Sequence, residues 1–305
     1  LFRSRDNVKG RDLMAIDEPN TELSGKDQKI YSDLGLSAQP FENVRYYYPY
    51  SKDKITANVQ SYAHPDDVRM QIKAGKAKKY KFTYEKCIEK IDLLLANEDD
   101  SSGTLESCVN YIINRQEPFN AVDSWPTLLE KIDECTKTEA NGGKKNEIMV
   151  TSWRKFKRCV KKAIQSNIFI SNLNEENGEI DLTDEISNNL TNGQVMVIDI
   201  ARLDDNAQSF VFGSVARAIY DMKLGAERDN IPDKVILFVD ELNKYASNDV
   251  PKSSPILQQL LYIAERGRSL GIILFSVEQF RSAIHDRVKG NCATQAYGRT
   301  NAIEV

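Results

Sequence analysis

The clearest pattern in the chain is the apolar run Val235–Val239, which is followed directly by the two acids Asp240 and Glu241. Pro232 precedes the run and Asn243 follows it. A short apolar run between such breakers is typical of a strand that is buried in a parallel sheet. Ligands of open α/β sheets bind at the carboxyl ends of the strands, so this pair of carboxylates stands at a candidate site. The structural alternative is a strand that simply ends in two solvated acids.

The pattern around this strand is an alternation of strands and helices. Further strands are predicted at Val195–Ile200, Gly271–Val277 and Thr294–Gly298. One intervening helix is expected to be capped by Asp205 or Asn206, and the next to begin at Pro255. Strands that alternate with helices predict a parallel sheet with right-handed crossovers. The predicted fold class is therefore α/β with a mostly parallel central sheet.

Residues 80–170 change character, because their apolar positions recur at the spacing of helices. Helices are predicted near Tyr84, Leu105, Trp125 and Trp153, with a turn at 141–143 between the last two. We interpret 61–180 as a helical insertion subdomain. Residues 1–60 and 181–305 are then expected to form the core that carries the sheet.

Two short segments of the N-terminal region also resemble strands. Val44–Tyr48 is a candidate strand with three consecutive tyrosines, Tyr46–Tyr48. The tyrosines could stack on bases, but a packed strand is the favoured interpretation. Asn7–Gly10 resembles the tail of a strand that enters a polar turn at Arg11 and Asp12.

Composition narrows the class of protein without naming a function. The chain has 305 residues, 41% of them hydrophobic, and a formal net charge of −4, so any contact with nucleic acid must come from local basic patches. Its five cysteines are widely spaced and form no C-x-x-C pair, which favours a reduced, cytoplasmic setting. With only two histidines, a histidine-rich metal site or a Ser-His-Asp triad is not expected. No apolar stretch approaches the length needed to span a bilayer.

The acidic strand end fits the chemistry of nucleotide hydrolysis. In nucleotide-hydrolysing P-loop proteins, the first acid at such a position holds Mg²⁺, and the next orients or deprotonates the attacking water. The end of the following strand carries Ser276, Glu278 and Gln279. A polar side chain there can hydrogen-bond both the water and the γ-phosphate. One polar strand end is common, but two adjacent strand ends that both carry suitable polar side chains are less common.

The segment Glu265–Gly271 carries two arginines, Arg266 and Arg268, at the end of a predicted helix, and we expect it at the same edge of the sheet as the two strand ends. The structural interpretation is that both complement the helix dipole. The functional interpretation is an arginine finger that stabilises charge during phosphoryl transfer across a subunit interface. The segment alone favours the structural interpretation.

Taken in order, these motifs resemble the HerA/FtsK-type translocases, the HerA branch in particular. The resemblance runs from about residue 193 to 305, and its last part is the segment Asn291–Arg299. The segment Asn7–Asp12 also resembles the strand that follows the P-loop helix in that family. The resemblance implies a RecA-like P-loop core, ATP and Mg²⁺ as cofactors, and a homo-oligomeric ring, usually a hexamer. It further implies movement of double-stranded DNA, together with a nuclease or other effector protein in DNA end processing or anti-phage defence.

The resemblance also assigns roles to individual residues. Asp240 would be the metal-side acid, Glu241 the catalytic acid and Gln279 the sensor of the nucleotide. Either Arg266 or Arg268 would act as the finger in a neighbouring subunit. Arg299 would also face a neighbouring nucleotide.

One element of this family is missing from the sequence. No G-x-x-x-x-G-K-S/T motif occurs, so the backbone cradle and lysine that bind the β- and γ-phosphates are absent. Either that loop lies upstream of Asn7, or the protein has lost activity. We favour the first, since the other candidate catalytic residues are present, and we expect the sequence to be a fragment.

Two basic stretches are candidates for DNA contact. One is Lys73–Lys81, and the other is the helix around Trp153, with cations at Arg154, Lys155, Lys157, Arg158, Lys161 and Lys162. Such surfaces bind phosphates without reading sequence, although a solvated face is the commoner explanation. The resemblance directs attention first to Asn243–Ser254, the segment after the acids.

Three functions remain open at this point. The leading one is a Mg-ATP-driven DNA translocase. The alternative is a ring scaffold that positions an effector enzyme without hydrolysing ATP. A stand-alone P-loop kinase is the third, but no phosphoacceptor site is visible in the sequence.

Overall fold

The computed structural model describes residues 2–3, 12–21, 23–137, 144–145, 147–169, 172–225, 231–278 and 280–297. The predicted strand tail at Asn7–Gly10 and the predicted turn at 141–143 lie outside these residues. The strands of the described residues are β1 (Phe2–Arg3), β2 (Val44–Pro49), β3 (Ala77–Lys81), β4 (Lys144–Lys145), β5 (Ile148–Met149), β6 (Glu179–Asp181), β7 (Val195–Asp199), β8 (Val235–Asp240) and β9 (Ile272–Val277).

Helices connect and cover the strands. The α-helices of the described residues are α1 (Gly25–Asp33), α2 (Pro65–Lys73), α3 (Tyr84–Cys87), α4 (Thr104–Ile113), α5 (Trp125–Cys135), α6 (Val150–Ala163), α7 (Leu182–Asn189), α8 (Asp205–Leu224), α9 (Asn243–Ala246), α10 (Pro255–Leu270) and α11 (Asp286–Asn291). Short 3₁₀ helices lie at Asp12–Ala15, Ile88–Leu95, Glu175–Asn177 and Arg281–Ala283.

Seven strands form one sheet in the order β6-β3-β2-β7-β1-β8-β9, and every neighbouring pair is parallel. The other two strands, β4 and β5, form a small antiparallel hairpin. The prediction of an α/β fold with a mostly parallel central sheet is thus confirmed. Parallel neighbours need long crossovers, and the helices between the strands supply them.

The helical block lies between two strands of the sheet. It runs from α3 to α6, after β3 and before β6. The predicted domain division at 61 and 181 stays a prediction. The helices of the block begin only at Tyr84, because strand β3 and helix α2, which packs on the sheet, come first. The centre of the block is aromatic: Trp153 stacks on Phe119 at 5.6 Å between ring centroids and meets Phe156 edge-on at 6.0 Å.

The tyrosines of β2 show how completely this part of the sheet is covered. Tyr46, Tyr47 and Tyr48 are all 0% exposed, which confirms the packed strand and excludes stacking on bases. Side chains alternate between the faces of a strand. Tyr47 joins the main hydrophobic core with α7 and α8, while Tyr46 and Tyr48 join a second core with Val68 of α2 on the other face.

Two local predictions are wrong, and one short strand was not predicted. Thr294–Tyr297, the described part of the predicted fourth strand, is not a strand, since no neighbouring strand pairs with it. Asp204, rather than Asp205 or Asn206, caps α8 by accepting hydrogen bonds from the backbone of Asn206 and Ala207. The sequence also gave no reason to expect β1, whose two residues pair with β7 and β8.

Candidate functional site

Asp240 ends β8 on a particular face of the sheet. Val235, Leu237 and Val239 are buried on the face that α8 and α10 cover. Because side chains alternate, Asp240 shares the other face with Ile236 and Phe238. Asp240 pairs in register with Val277 at the end of β9. The two strand ends predicted to be neighbours are therefore neighbours at one edge of the sheet.

Glu241 follows in an unusual backbone conformation. Its φ is +59°, in the left-handed region that residues other than glycine seldom adopt. Its N–H donates to the carbonyl of Val277 at 3.0 Å, and its own carbonyl accepts from the N–H of Lys244 at 3.1 Å. These bonds fix the turn between β8 and α9. A strained, well-held residue directly after a strand is a feature that often marks functional sites.

Glu278 brings a third carboxylate to the same edge. Burial raises its pKa to about 7; the backbone N–H groups of Asn243 and Leu242 act in the opposite direction, and the nearby Asp240 and Glu241 raise it further. Its Oε1 is buried without a hydrogen-bond partner within the described part of the chain. The sequence placed Glu278 at the strand end, but burial and neighbouring charges, which set its proton affinity, are properties of the fold.

A magnesium–nucleotide complex needs few carboxylates from the protein. Among the described residues, no group of three or more His, Cys, Asp or Glu side chains is arranged to hold a metal ion. Mg²⁺ usually keeps several waters and takes only one or two carboxylates plus substrate phosphates. A single acid such as Asp240 fits that mode of binding.

Among the described strands, β9 is the outermost one on the side of the acids. Within the described residues β9 pairs only with β8. Ile273, Phe275 and Val277 of β9 are 44%, 54% and 46% exposed, and Ile236 of β8 is 64% exposed. These residues share the face of Asp240, because Ile236 pairs with Ile273 and Asp240 with Val277. An apolar surface thus runs along the sheet up to the carboxylates.

The expectation that the arginine segment joins the two strand ends at one edge of the sheet is wrong, because Arg266 and Arg268 lie at the opposite edge. Arg266 and Arg268 are exposed near the C-terminal end of α10, which leads into the start of β9, whereas Asp240 stands beside the end of β9. Five residue steps of a strand span about 17 Å. Arg266 also lies over the ring of Tyr262 at 5.7 Å. Within one subunit, therefore, neither arginine joins the acids.

Close packing and backbone conformation explain both glycines of the segment Glu265–Gly271. A Cβ on Gly267 would lie 2.7 Å from the carbonyl oxygen of Ile272, where α10 packs against β9. Gly271 has φ +71°, and a Cβ there would lie 2.1 Å from the carbonyl oxygen of Asp233. The glycines thus shape the turn into β9.

Two other predicted site residues, Gln279 and Arg299, lie outside the described residues. Their roles stay predictions. Ser276 is exposed on β9, where it pairs in register with Val239.

The first basic stretch does not form a surface for DNA. Lys79 and Lys81 are buried, and Lys81 pairs with Glu179 inside the protein. Lys78 pairs with Glu185 at 2.8 Å. Lys76 pairs with Asp17 at 2.5 Å. The stretch is largely strand β3, and three of its five lysines pair with acids of the same chain.

The segment Asn243–Ser254 offers little positive charge. Lys244 donates to the side chains of Asp205 at 2.9 Å and Gln208 at 2.5 Å. The segment's other cation, Lys252, is accompanied by Asp249. The expectation that DNA is contacted here stays a prediction, and the charges give it no support.

An apolar cavity of about 340 Å³ lies between β7 and β8, lined among others by Met196, Ile198 and Phe238. It is at the start of these strands, so it is not part of the acidic edge. None of the described helices is both long enough and apolar enough to cross a membrane.

Comparisons with known proteins give a limited result. No protein family and no curated protein matches the sequence. Among solved structures, the chain is similar to the bacterial conjugative coupling protein TrwBdeltaN70 in its unbound monoclinic form, with 9% sequence identity and a TM-score of 0.40. The similarity covers 82% of this chain and 57% of that one.

Proposed function

We propose that this chain is a subunit of a Mg-ATP-driven DNA translocase of the HerA-like type, which works as a homo-hexameric ring with a RecA-like core. In this proposal Asp240 holds Mg²⁺ through water or directly, and Glu241 orients or deprotonates the attacking water. Gln279 senses the nucleotide, and Arg299 faces the nucleotide of a neighbour. The motor serves a nuclease or other effector protein in the cytoplasm, in DNA end processing or anti-phage defence.

The observation that carries this proposal is the position of Asp240 and Glu241 at the carboxyl edge of β8, beside the open edge of β9. Neighbouring strands lie about 4.8 Å apart. A parallel strand added to β9 would therefore end at the same edge, about 10 Å from β8. A phosphate-binding loop after such a strand would reach the carboxylates. The proposal needs this loop, since the sequence contains no G-x-x-x-x-G-K-S/T motif.

The arginines support a site that is shared between subunits. Arg266 and Arg268 are exposed and separated from their own acids by the length of β9. In a ring, the same surface would be turned toward a neighbouring subunit. There a guanidinium would stabilise the charge of the phosphoryl group in flight.

The alternative function, a ring scaffold without hydrolysis, shares the fold and the assembly. It differs in predicting that the full gene product, assembled and supplied with Mg²⁺, ATP and duplex DNA, does not hydrolyse ATP. The gene sequence upstream of Asn7 also separates the two, because a phosphate-binding loop there supports the motor.

A mixed-ring experiment tests the motor and its shared site together. The Arg266→Ala, Arg268→Ala double variant of the full gene product is expected to be inactive in ATP hydrolysis. Mixing it with Glu241→Gln subunits should restore part of the activity, because some interfaces then combine intact acids with intact arginines. Absence of rescue in rings verified to be mixed would reject an arginine that acts across subunits. Absence of hydrolysis in the wild-type ring would favour the scaffold.

A further inference from the structure

Helix α6 carries more cations than any other described element, and they lie on its polar side. Six of its fourteen residues are cations, and none is an acid. The opposite side of the helix is fixed in the core by Trp153, Phe156 and Val160, all 0% exposed. The cationic side therefore cannot turn inward. Five of the cations line a concave surface of about 670 Å³ beside the end of α5: Arg154, Lys155, Lys157, Arg158 and Lys161.

Most of this charge is not neutralised. Of the five cations, only Lys157 pairs with a carboxylate of the described residues, that of Asp133. Arg154 donates to the backbone carbonyl of Thr136 and Lys155 to that of Asp99, which orients both cations but leaves their charge in place. Arg158 and Lys161 are exposed. A solvated helix face usually mixes both signs of charge, whereas the described residues that line this groove include no acid.

The spacing of the cations fits a phosphate backbone. Arg154, Arg158 and Lys161 follow the i, i+4, i+7 pattern of one helix face. With a rise of 1.5 Å per residue, they extend over about 10 Å. One strand of a DNA duplex carries a phosphate every 3.4 Å along its axis, so about three phosphates lie within that length. Arginine and lysine without an aromatic platform bind the backbone and leave the bases unread.

We propose that this basic groove, formed by α6 and the end of α5, is a sequence-independent binding surface for the phosphate backbone of duplex DNA. It is a second contact with DNA, remote in the chain from the acidic edge and placed on the helical block. The choice of duplex DNA as the polyanion rests on the proposed function, while the groove itself rests on the geometry and charge of α6.

The test measures binding of two unrelated 20-base-pair duplexes by fluorescence anisotropy, without nucleotide, over a series of salt concentrations. The variant Arg154→Gln, Arg158→Gln, Lys161→Gln removes three charges from the groove. Its affinity for both duplexes should fall by about tenfold or more. The slope of log K against log[salt] should become shallower by about 2.7, since each phosphate contact contributes about 0.9.

The matched control removes three exposed charges elsewhere, as Lys26→Gln, Lys29→Gln, Lys73→Gln, and should bind like the wild type. A charge-conserving variant, Arg154→Lys, Arg158→Lys, should also keep most of the binding, which separates lost charge from lost folding. Binding by the groove variant within twofold of the wild type overturns the proposal, and so does an equal loss in the control. If the wild-type protein binds poly-glutamate more tightly than DNA, the proposal is overturned in favour of an acidic protein partner.

The same measurements separate this inference from the proposed function. Because no nucleotide is present, DNA binding by the groove does not depend on ATP hydrolysis. A wild-type protein that binds DNA through the groove without hydrolysing ATP would contradict the motor and leave the groove intact. A protein that hydrolyses ATP while its groove variant still binds DNA normally would support the motor and contradict the groove.

Discussion

The two halves of the sheet differ in how their faces are covered. In the half formed by β2, β3 and β7, Tyr46 and Tyr48 are fully buried beneath α2 and the 3₁₀ helix Asp12–Ala15. In the half formed by β8 and β9, Ile236 and Phe275 on that same face are 64% and 54% exposed. On the opposite face, helices cover Tyr47 in the first half and Val235, Leu237 and Val239 in the second.

The difference teaches where a partner element belongs. Parallel sheets are normally buried on both faces, and their strands are apolar on both sides for that reason. The residues of β8 and β9 follow this rule, although one of their faces is open. The acids Asp240 and Glu241 stand at the end of the open face. The candidate chemistry therefore lies in the half of the sheet that has one exposed face.

The largest expected effect compares an aromatic residue of each half. Tyr48→Ala should lower the free energy of unfolding by about 3–5 kcal/mol, because a fully buried ring leaves a cavity. Phe275→Ala, on the same face, should cost about 1 kcal/mol or less, which is mainly its stacking on Phe238. Urea unfolding of both variants measures the difference. Equal costs would show that the face at β9 is covered after all.

The next effect concerns carboxylates and pH. Burial alone would raise the pKa of Glu185, but hydrogen bonds from Lys78, Asn189 and Tyr47 outweigh it and leave the pKa below its ordinary value. Its stabilising contribution is therefore present above about pH 4.5 and is lost as the pH falls through the lowered pKa. Glu185→Gln should cost about 1–3 kcal/mol at pH 7.

The gap between wild type and Glu185→Gln should close as the pH falls below about 4.5. Unfolding free energies at pH 7, 5 and 3.5 follow this gap, with the exposed Glu42→Gln as a control that stays close to the wild type. A gap that stays constant over this range would contradict an ionised, hydrogen-bonded Glu185. Glu278 is the contrasting case, because its burial is not outweighed by hydrogen bonds and raises its pKa to about 7.

The smallest expected effect is on the open face itself. Ile236→Ser should change the free energy of unfolding by no more than about 0.5 kcal/mol, because the side chain is largely exposed. It should also reduce binding of a hydrophobic dye to the folded protein. Leu237→Ser, one position along β8 but on the buried face, serves as the matched variant and should be strongly destabilised. A large loss of stability in Ile236→Ser would show that the described face is not open.

The sequence predicted the elements around the acids well, for reasons that are local. The apolar runs of β7, β8 and β9 and the proline at the start of α10 are signals within a few residues. Their order also places Asp240 and Val277 at one edge. We also expected the arginine segment at that edge, but a helix that returns to the start of the next strand ends at the opposite edge.

The remaining features depend on distant contacts. β1 has only two residues and exists through its pairing with β7 and β8. Thr294–Tyr297 has the pattern of a strand but no strand beside it in the described part of the sheet. The lysines of β3 look like a basic patch until the fold brings Asp17, Glu179 and Glu185 to them. The raised pKa of Glu278 likewise needs burial that no spacing predicts.

The central claim is that the acid after β8 activates water, and Glu241→Gln in the full gene product tests it most directly. Loss of the carboxylate should leave ATP binding unchanged, because the amide keeps the shape of the side chain. Turnover should fall by about 10²-fold or more, because the water loses the group that orients it or accepts its proton. ATP binding and ATP hydrolysis measured on the same preparation decide the matter. Intact binding with turnover abolished is the predicted result, and unchanged turnover would contradict the account.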